Sequence, residues 1–336
     1  MSVPPDPSEK PYLLIPPLAV KRSPPVGHAT LHPKRLSGTI EVRLTACTPL
    51  QVASGTLELH QGMITLAMSS VASRDRQGRV RSNPVLPGSS LKGALRTLVE
   101  IISPACFAVV GRVTRQHMPA HLKACSTTES LCPACQLFGM AGEQNQGYQG
   151  QVRCTDATVI KGNLIRVNTP RLWAPARGGM LPMRYRSKDG SVGGRKLYYP
   201  SRPAQGNEAR MMLAANAELA TTIHFINCSE SDLGLLLAAL GQHPDVPLLM
   251  RIGAAKPVGY GSVRVHLHAL TLYDLVRTRG RLGGVPVLDA AALTAQCRQW
   301  CLAAEQAGML NRANLNKMQH VLAEANLKRP SVEGAY

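Results

Sequence analysis

No apolar stretch in this chain of 336 residues is long enough to span a bilayer, and Met1 to Lys10 lacks the apolar core of a signal peptide. These absences argue against a membrane-spanning or secreted protein, so the chain is expected to be cytoplasmic. Acidic residues are scarce: 20 Asp+Glu face 38 Lys+Arg, and the formal net charge is +18. Such an excess is an electrostatic footprint for a polyanion, and nucleic acid is the first partner to consider. The chain has no compact polybasic run beside an amphipathic helix, as adhesion to an anionic membrane would require. Its Arg residues are scattered through Gly-rich and Pro-rich segments instead. With only 17% of residues charged, it does not read as a disordered basic tail either. The length allows one large domain with insertions or two small ones.

Nine cysteines need a reason in a reducing compartment, where disulfides rarely persist. Cys132-Pro133-Ala134-Cys135 is a CxxC that presents two thiolates to one tetrahedral metal, and a closed structural zinc site needs two more ligands. Cys106 and Cys125 are chosen for these, with His117 and His121 as substitutes. A redox pair or merely buried thiols is the plainer alternative, but no thioredoxin-like strand precedes the motif. The zinc would be structural, because a loop of low apolar content cannot fold without a staple. Cys47, Cys154, Cys228, Cys297 and Cys301 are read as core residues.

Leu86-Pro87-Gly88-Ser89-Ser90-Leu91-Lys92-Gly93-Ala94-Leu95-Arg96 reads as a turn feeding a helix. Ser89 or Ser90 is expected to cap it, and its first turn, with free N–H groups and the positive end of the dipole, suits phosphate. Lys92 and Arg96 share a face at i,i+4 beside an apolar stripe of Leu91, Leu95, Leu98 and Ile102. An ordinary capped amphipathic helix would carry the same spacing.

A Pro-rich arm at 1–36 is expected to be extended and to wrap or link. A strand follows at Gly38 to Ala46, and Pro49 to Pro87 reads as loop-rich, with Arg74, Asp75, Arg76, Arg79 and Arg81 close together. Strand-like alternation runs from Val152 to Leu164, then a Gly/Arg-rich excursion extends to Met211. Thr221 to Ile226 is a strand, and Ser229-Glu230-Ser231-Asp232 caps a helix from Leu233 to Leu240 that Gly241 ends. The order is that of an α+β, ferredoxin-like (RRM-like) core. The boundaries are 1–36 for the arm, 37–275 for the domain with insertions at 103–140 and 165–211, and 276–336 for a C-terminal helical segment packing on the domain or on a neighbour.

Arg251-Ile252-Gly253-Ala254-Ala255-Lys256-Pro257-Val258-Gly259-Tyr260-Gly261 is a second Gly-rich signal. Its successive N–H groups could form a phosphate nest with Lys256 supplying charge, or the segment could be a plain hairpin turn. It is not a Walker loop, for no Lys-Ser or Lys-Thr follows the last Gly, and a strand rather than a helix follows it.

Pro87-Gly88-Ser89-Ser90-Leu91-Lys92-Gly93 with Arg96, the downstream Cys132-Pro133-Ala134-Cys135-Gln136-Leu137-Phe138-Gly139, the Glu230-to-Leu240 helix and the Lys256-to-Gly261 loop together resemble the RAMP superfamily of CRISPR-associated proteins. The resemblance spans residues 12 to about 270 and is strongest to backbone subunits of type III effectors, in particular the zinc-bearing type III-D-like lineage and its type VII relatives.

This resemblance implies an antiviral-defence subunit that polymerises along a guide RNA (crRNA) and displays it for pairing with target RNA. Its partners would be further copies of itself, a cap subunit and a separate nuclease. The expected RNA contacts are Arg74, Ser89, Ser90, Lys92, Arg96, Arg171, Arg184, Arg186, Lys256, Gly259 and Tyr260. The excursion is the candidate base-separating thumb, with Trp173, Arg177, Met180, Met183, Tyr185 and Lys188 beside its arginines. In this family, active subunits carry an Asp upstream of an Arg-Asp pair. With Arg74-Asp75 as anchor the matching position falls near Ser69, and residues 55–73 hold no Asp. A hydroxyl cannot replace that carboxylate. A subunit without its own nuclease activity is therefore expected, with Asp75-dependent target cleavage as the alternative. Two further alternatives are a metal-independent guide-processing endoribonuclease using His28, His32 or His60, and a generic zinc-stabilised RNA-binding domain.

Overall fold

A computed structural model describes residues 10–75, 77–108, 110–142, 146–172, 181–274, 287–288 and 290–331. Alternation along Leu36–Ala46 puts Ile40, Val42 and Leu44 on a buried face and leaves Glu41 and Arg43 exposed. This strand lies inside a nine-stranded sheet ordered Met250–Arg251, Ser262–Leu272, Leu36–Ala46, Glu218–Cys228, Ala157–Lys161, Val80–Leu86 and Ser70–Arg74. Val152–Cys154 also pairs with Glu218–Cys228, and Val287–Leu288 with Ser262–Leu272; all these pairings are antiparallel.

The helices are α1 (Gly88–Ile102), α2 (Arg112–Gln116), α3 (Pro133–Phe138), α4 (Glu230–Ala239), α5 (Ala290–Gln306) and α6 (Arg312–Leu322). The stripe on α1 enters the core as its periodicity predicts, with Leu91, Leu95, Leu98 and Ile102 buried, each worth about 1.5–3 kcal/mol relative to exposure. Ser229 and Asp232 form the expected capping box on α4. Apolar residues on every side of α4 are explained by its neighbours, since α1 packs on one flank and α5 on another. The helices α5 and α6 join the main core through Trp300, Cys301, Leu315, Met318 and Val321, so the C-terminal helices pack on this chain's own domain.

The fold is thus mixed α+β with several antiparallel sheets, but two local expectations are corrected. Neither Ser89 nor Ser90 caps α1: the N-cap is Pro87, with no side-chain cap. The segment from 49 to 87 is not loop-rich. It makes two hairpins, Ala53–His60 with Met63–Met68 and Ser70–Arg74 with Val80–Leu86. Their strands are mostly exposed, so alternation against a core never marks them. The Gly/Arg-rich excursion at 165–211 is anchored in a sheet. Leu164–Thr169 and Glu208–Leu213 pair at its base, in a four-stranded sheet with the first of those hairpins. Farther out, Arg195–Tyr198 pairs with Tyr12–Ile15 of the Pro-rich arm. The arm also bonds Lys21 N–H to Pro104 O and bridges Ser23 to Leu131. Trp173, Arg177 and Met180 lie outside the described residues, as does Arg76.

Candidate nucleic-acid interface and cysteine centre

The two Gly-rich signals meet. Ser90, Gly93, Ala94 and Thr97 of α1 face Arg251, Gly253 and Lys256 across a cleft of about 390 Å³, with Lys196 and Tyr198 on a third side. Among the described residues, no Asp, Glu or His lines it. A side chain at Gly93 would meet open space, so the α1 backbone is accessible there.

Two cations of this cleft, Arg251 and Lys256, are held by neutral groups. Arg251 is 6% exposed; its guanidinium donates to Ser262 Oγ and to the Lys256 carbonyl, and its Nε is buried without a hydrogen-bond partner. Lys256 Nζ donates to Gly253 O at 2.9 Å. Burial pushes Arg251 down to about 9, and burial with the Arg251 charge lowers Lys256. Desolvated cations of this kind gain when an anion arrives. Lys196 sits 4.7–5.0 Å from the ring centres of Tyr12, Tyr185 and Tyr198 and bonds to Tyr185 Oη at 3.1 Å, an aromatic cage that holds an ammonium in place.

The other candidates are elsewhere. Lys92 is half-buried beside Arg153 and Cys154, and burial lowers its pKa. Arg96 turns inward to the cysteines. Part of the backbone of the Gly-rich loop is used internally: Ala254 N–H bonds to Gln51 O, Gly261 N–H to Pro49 O and Tyr260 N–H to Ala255 O. Gly259 has φ +94°, and a Cβ there would collide with the Arg202 carbonyl, so the protein's own packing requires that glycine. Tyr260 is buried and donates to Ala204 O at 2.8 Å. Arg171 is exposed, Arg184 lies over the Tyr185 ring, and Arg186 donates to Leu181 O. Arg74, also exposed, donates to Gly78 O. Ser89 is exposed at the start of α1.

The start of α1 carries its own anion, since Asp156 accepts the Gly88 N–H. A Cβ on Gly88 would run into the Cys154 carbonyl, so this glycine serves the approach of the strand connection at Cys154–Thr155. Sequence reasoning missed Asp156, Arg251, Lys196 and Tyr198. Only Arg251 had a signal, its place next to the Gly-rich run.

Asp75 is occupied by its own hairpin turn. Its Oδ1 accepts the N–H groups of Gln77 and Arg79, and its Oδ2 accepts from Arg79 Nε and Arg81 Nε at 3.2 and 3.3 Å. His28 bonds to Gln149 O, and neither it nor His32 or His60 lines the cleft.

Cys106, Cys125, Cys132 and Cys135 are buried with their sulfurs within 4.8 Å of one another, close enough to hold one metal ion. Cys106 Sγ lies 3.6 Å from Cys135 Sγ, 3.4 Å from Cys132 Sγ and 4.0 Å from Cys125 Sγ. A tetrahedron with zinc–sulfur bonds of about 2.3 Å has edges of about 3.8 Å, so the donor set fits zinc in type and spacing. Locally, Cys132 is the N-cap of α3 with Pro133 at its first position, which aims both CxxC sulfurs to one side. Cys106 N–H and Cys132 N–H point at Cys132 Sγ and Cys125 Sγ, each at 3.4 Å. Hydrogen bonding between Cys106 and Cys125 holds Cys125 far below and Cys106 far above the ordinary thiol range. His117 bonds to Val113 O and, like His121, is not part of the cluster.

The class is defined by an antiparallel α+β core, a cationic cleft and a cysteine centre. A profile of the RAMP superfamily matches residues 43–264, and the chain belongs to that superfamily. No curated protein matches the chain. Among solved structures, a chain of a "Type IV-B CRISPR Complex" is similar, with 14% sequence identity over 68% of this chain and 90% of that one and a TM-score of 0.37. Among the described residues no helix is long and apolar enough to cross a membrane.

Proposed function

We propose that the chain is a guide-RNA-binding backbone subunit of a CRISPR effector complex, polymerising along crRNA without a nuclease activity of its own. The observation that carries this reading is the cleft between α1 and the Gly-rich loop, where Arg251 and Lys256 stand with no carboxylate or histidine among the described lining residues. Cations hold ribose-phosphate by its charge, and the described lining offers no carboxylate to ligate a metal for metal-assisted cleavage. Contacts to phosphate ignore base identity, as a guide of arbitrary sequence requires. The four bonds that Asp75 accepts at its turn favour a structural over a catalytic role.

The strand order Ser262–Leu272, Leu36–Ala46, Glu218–Cys228, Ala157–Lys161, with α1 and α4 as crossovers, supports a ferredoxin-like core within 37–275. The four-cysteine centre supports structural zinc in the 103–140 insertion and, with it, the zinc-bearing type III-D-like and type VII-like lineage. When bound, the ion would tie α3 to the Cys106 and Cys125 segments. For the base-separating thumb, Arg171, Arg184, Arg186 and Met183 of the 165–211 insertion remain candidates. The hairpin Ala53–Met68 is a second one. Leu57, Leu59 and Ile64 on it are 64%, 74% and 68% exposed, an apolar face that bases could cover.

The test is purification from cells that transcribe a guide, followed by native mass spectrometry and a cleavage assay on matched target RNA. Particles of several protomers on one RNA without regular cleavage are expected. Nucleotide-free monomers that ignore oligoribonucleotides at low ionic strength would overturn the reading, and spaced cleavage lost in Asp75→Ala would overturn its scaffold part.

A further inference from the structure

Arg96 belongs to the helix that walls the cleft, yet it reaches away from it. Its Nη2 donates to Cys135 Sγ at 3.1 Å, its Nη1 to Gly139 O at 2.6 Å and its Nε to Glu100 Oε1 at 3.0 Å. Glu100, 1% exposed at its side chain, also pairs with Arg195 and accepts the Ala108 N–H. Arg195 is stacked over Phe107 and adjoins Lys196 on the strand that lines the cleft. One chain of polar contacts therefore runs from a metal-ligand sulfur through α1 to the strand bearing a cleft cation.

Charge gives this chain a direction. Four thiolates around one divalent ion leave two negative charges, which a buried site tolerates only with cations close by. Arg96 supplies one from α1, and Arg22 of the Pro-rich arm, which donates to Lys123 O and lies within the field of Cys125, Cys106 and Cys132, supplies the other. The arm cation has no part in the cleft, whereas Ser90, Gly93, Ala94 and Thr97, on the same helix as Arg96, form a wall of it.

We infer that Arg96 is a positioning residue that couples the cysteine centre to the cationic cleft, so that metal retention and RNA affinity reinforce each other. The inference rests on the RNA-binding reading of the cleft. By thermodynamic linkage the effect is reciprocal: RNA bound at the cleft raises the affinity for the metal, and loss of the metal weakens RNA binding.

The experiment follows zinc transfer from the full chain to a chromogenic chelator with and without a uridine 20-mer, while anisotropy reads binding of the same RNA. At equilibrium with the chelator, the RNA is expected to raise the zinc affinity of wild type about tenfold. Arg22→Met should hold zinc about tenfold more weakly yet keep the protection by RNA. Arg96→Met and Arg96→Lys should lose the protection, the lysine variant retaining zinc better than the methionine variant because it keeps the charge but not the three-way fork. Protection that persists in the Arg96 variants, or wild type that binds RNA without protection, overturns the coupling alone. Wild type that binds no RNA overturns the RNA reading and the coupling with it. Should Arg96→Met fail to fold, the lysine variant and the wild-type arms decide.

Discussion

The Asp156 carboxylate accepts the backbone N–H of Gly88 at 2.8 Å, so the positive end of α1 is already met by an anion from the chain itself. A phosphate at this helix start would have to share it with that charge. Asp156→Asn keeps an acceptor and removes the charge. It is expected to raise affinity for oligoribonucleotides about two- to fivefold, with thermal stability within about 1 kcal/mol of wild type. Anisotropy titration is the check, and unchanged or weaker binding would count against phosphate at the start of α1.

Arg251 and Lys256 are the cations whose removal should matter most. Arg251→Met and Lys256→Met should each weaken binding about tenfold to unrelated sequences alike, and each should flatten the salt dependence by about 0.7 for every phosphate it no longer neutralises. Because Arg251 is buried without a carboxylate, its methionine variant should melt no lower than wild type. A sequence-dependent loss would point to base readout instead.

Affinity should depend on pH at the alkaline end. In the free protein, burial holds Arg251 at about 9 and lowers Lys256. A neighbouring phosphate favours the protonated forms, so the complex keeps protons that the free protein gives up above that range. Binding should be level between about pH 6 and 8 and weaken as pH rises through about 9. Titrations across this span in a constant-salt buffer test the sign.

Metal analysis should find one zinc per chain. Cys132→Ser should abolish it, and chelation should open the 103–140 segment to protease while the sheet core stays resistant. Equal resistance with and without chelator would make the cysteines plain core residues.

Asp75→Ala should leave target RNA uncut, as in wild type, and should loosen the turn between Ser70–Arg74 and Val80–Leu86 by about 1–2 kcal/mol through the loss of its bonds to Gln77, Arg79 and Arg81. Hydrogen exchange at Gly78 and Arg79 reads that loosening.

What was legible in the sequence was local. Cys132 and Cys135 announce themselves by spacing, and Ser229 with Asp232 caps α4 through bonds only three residues long. The stripe of Leu91, Leu95, Leu98 and Ile102 needed only helical periodicity. What was hidden was set by distant partners. Arg96 shares a face with Lys92 in the sequence, but Cys135 and Gly139 decide where it points. The amides of Ala254 and Gly261 look free in the sequence until Gln51 and Pro49 arrive to accept them. The hairpins between 53 and 86 escape because Ala53–His60, Ser70–Arg74 and most of Val80–Leu86 meet solvent, so burial imprints little periodic signal, and only Met63–Met68 and the end of Val80–Leu86 turn side chains inward.

The pairing of Leu36–Ala46 with Glu218–Cys228 on one side and Ser262–Leu272 on the other fixes an order of events during synthesis. The strand emerges early from the ribosome but must wait for both neighbours, so the main sheet closes late and slowly. The cysteine ligands, all between 106 and 135, emerge well before those partners, so a captured ion can organise a folded nucleus while Leu36–Ala46 still waits.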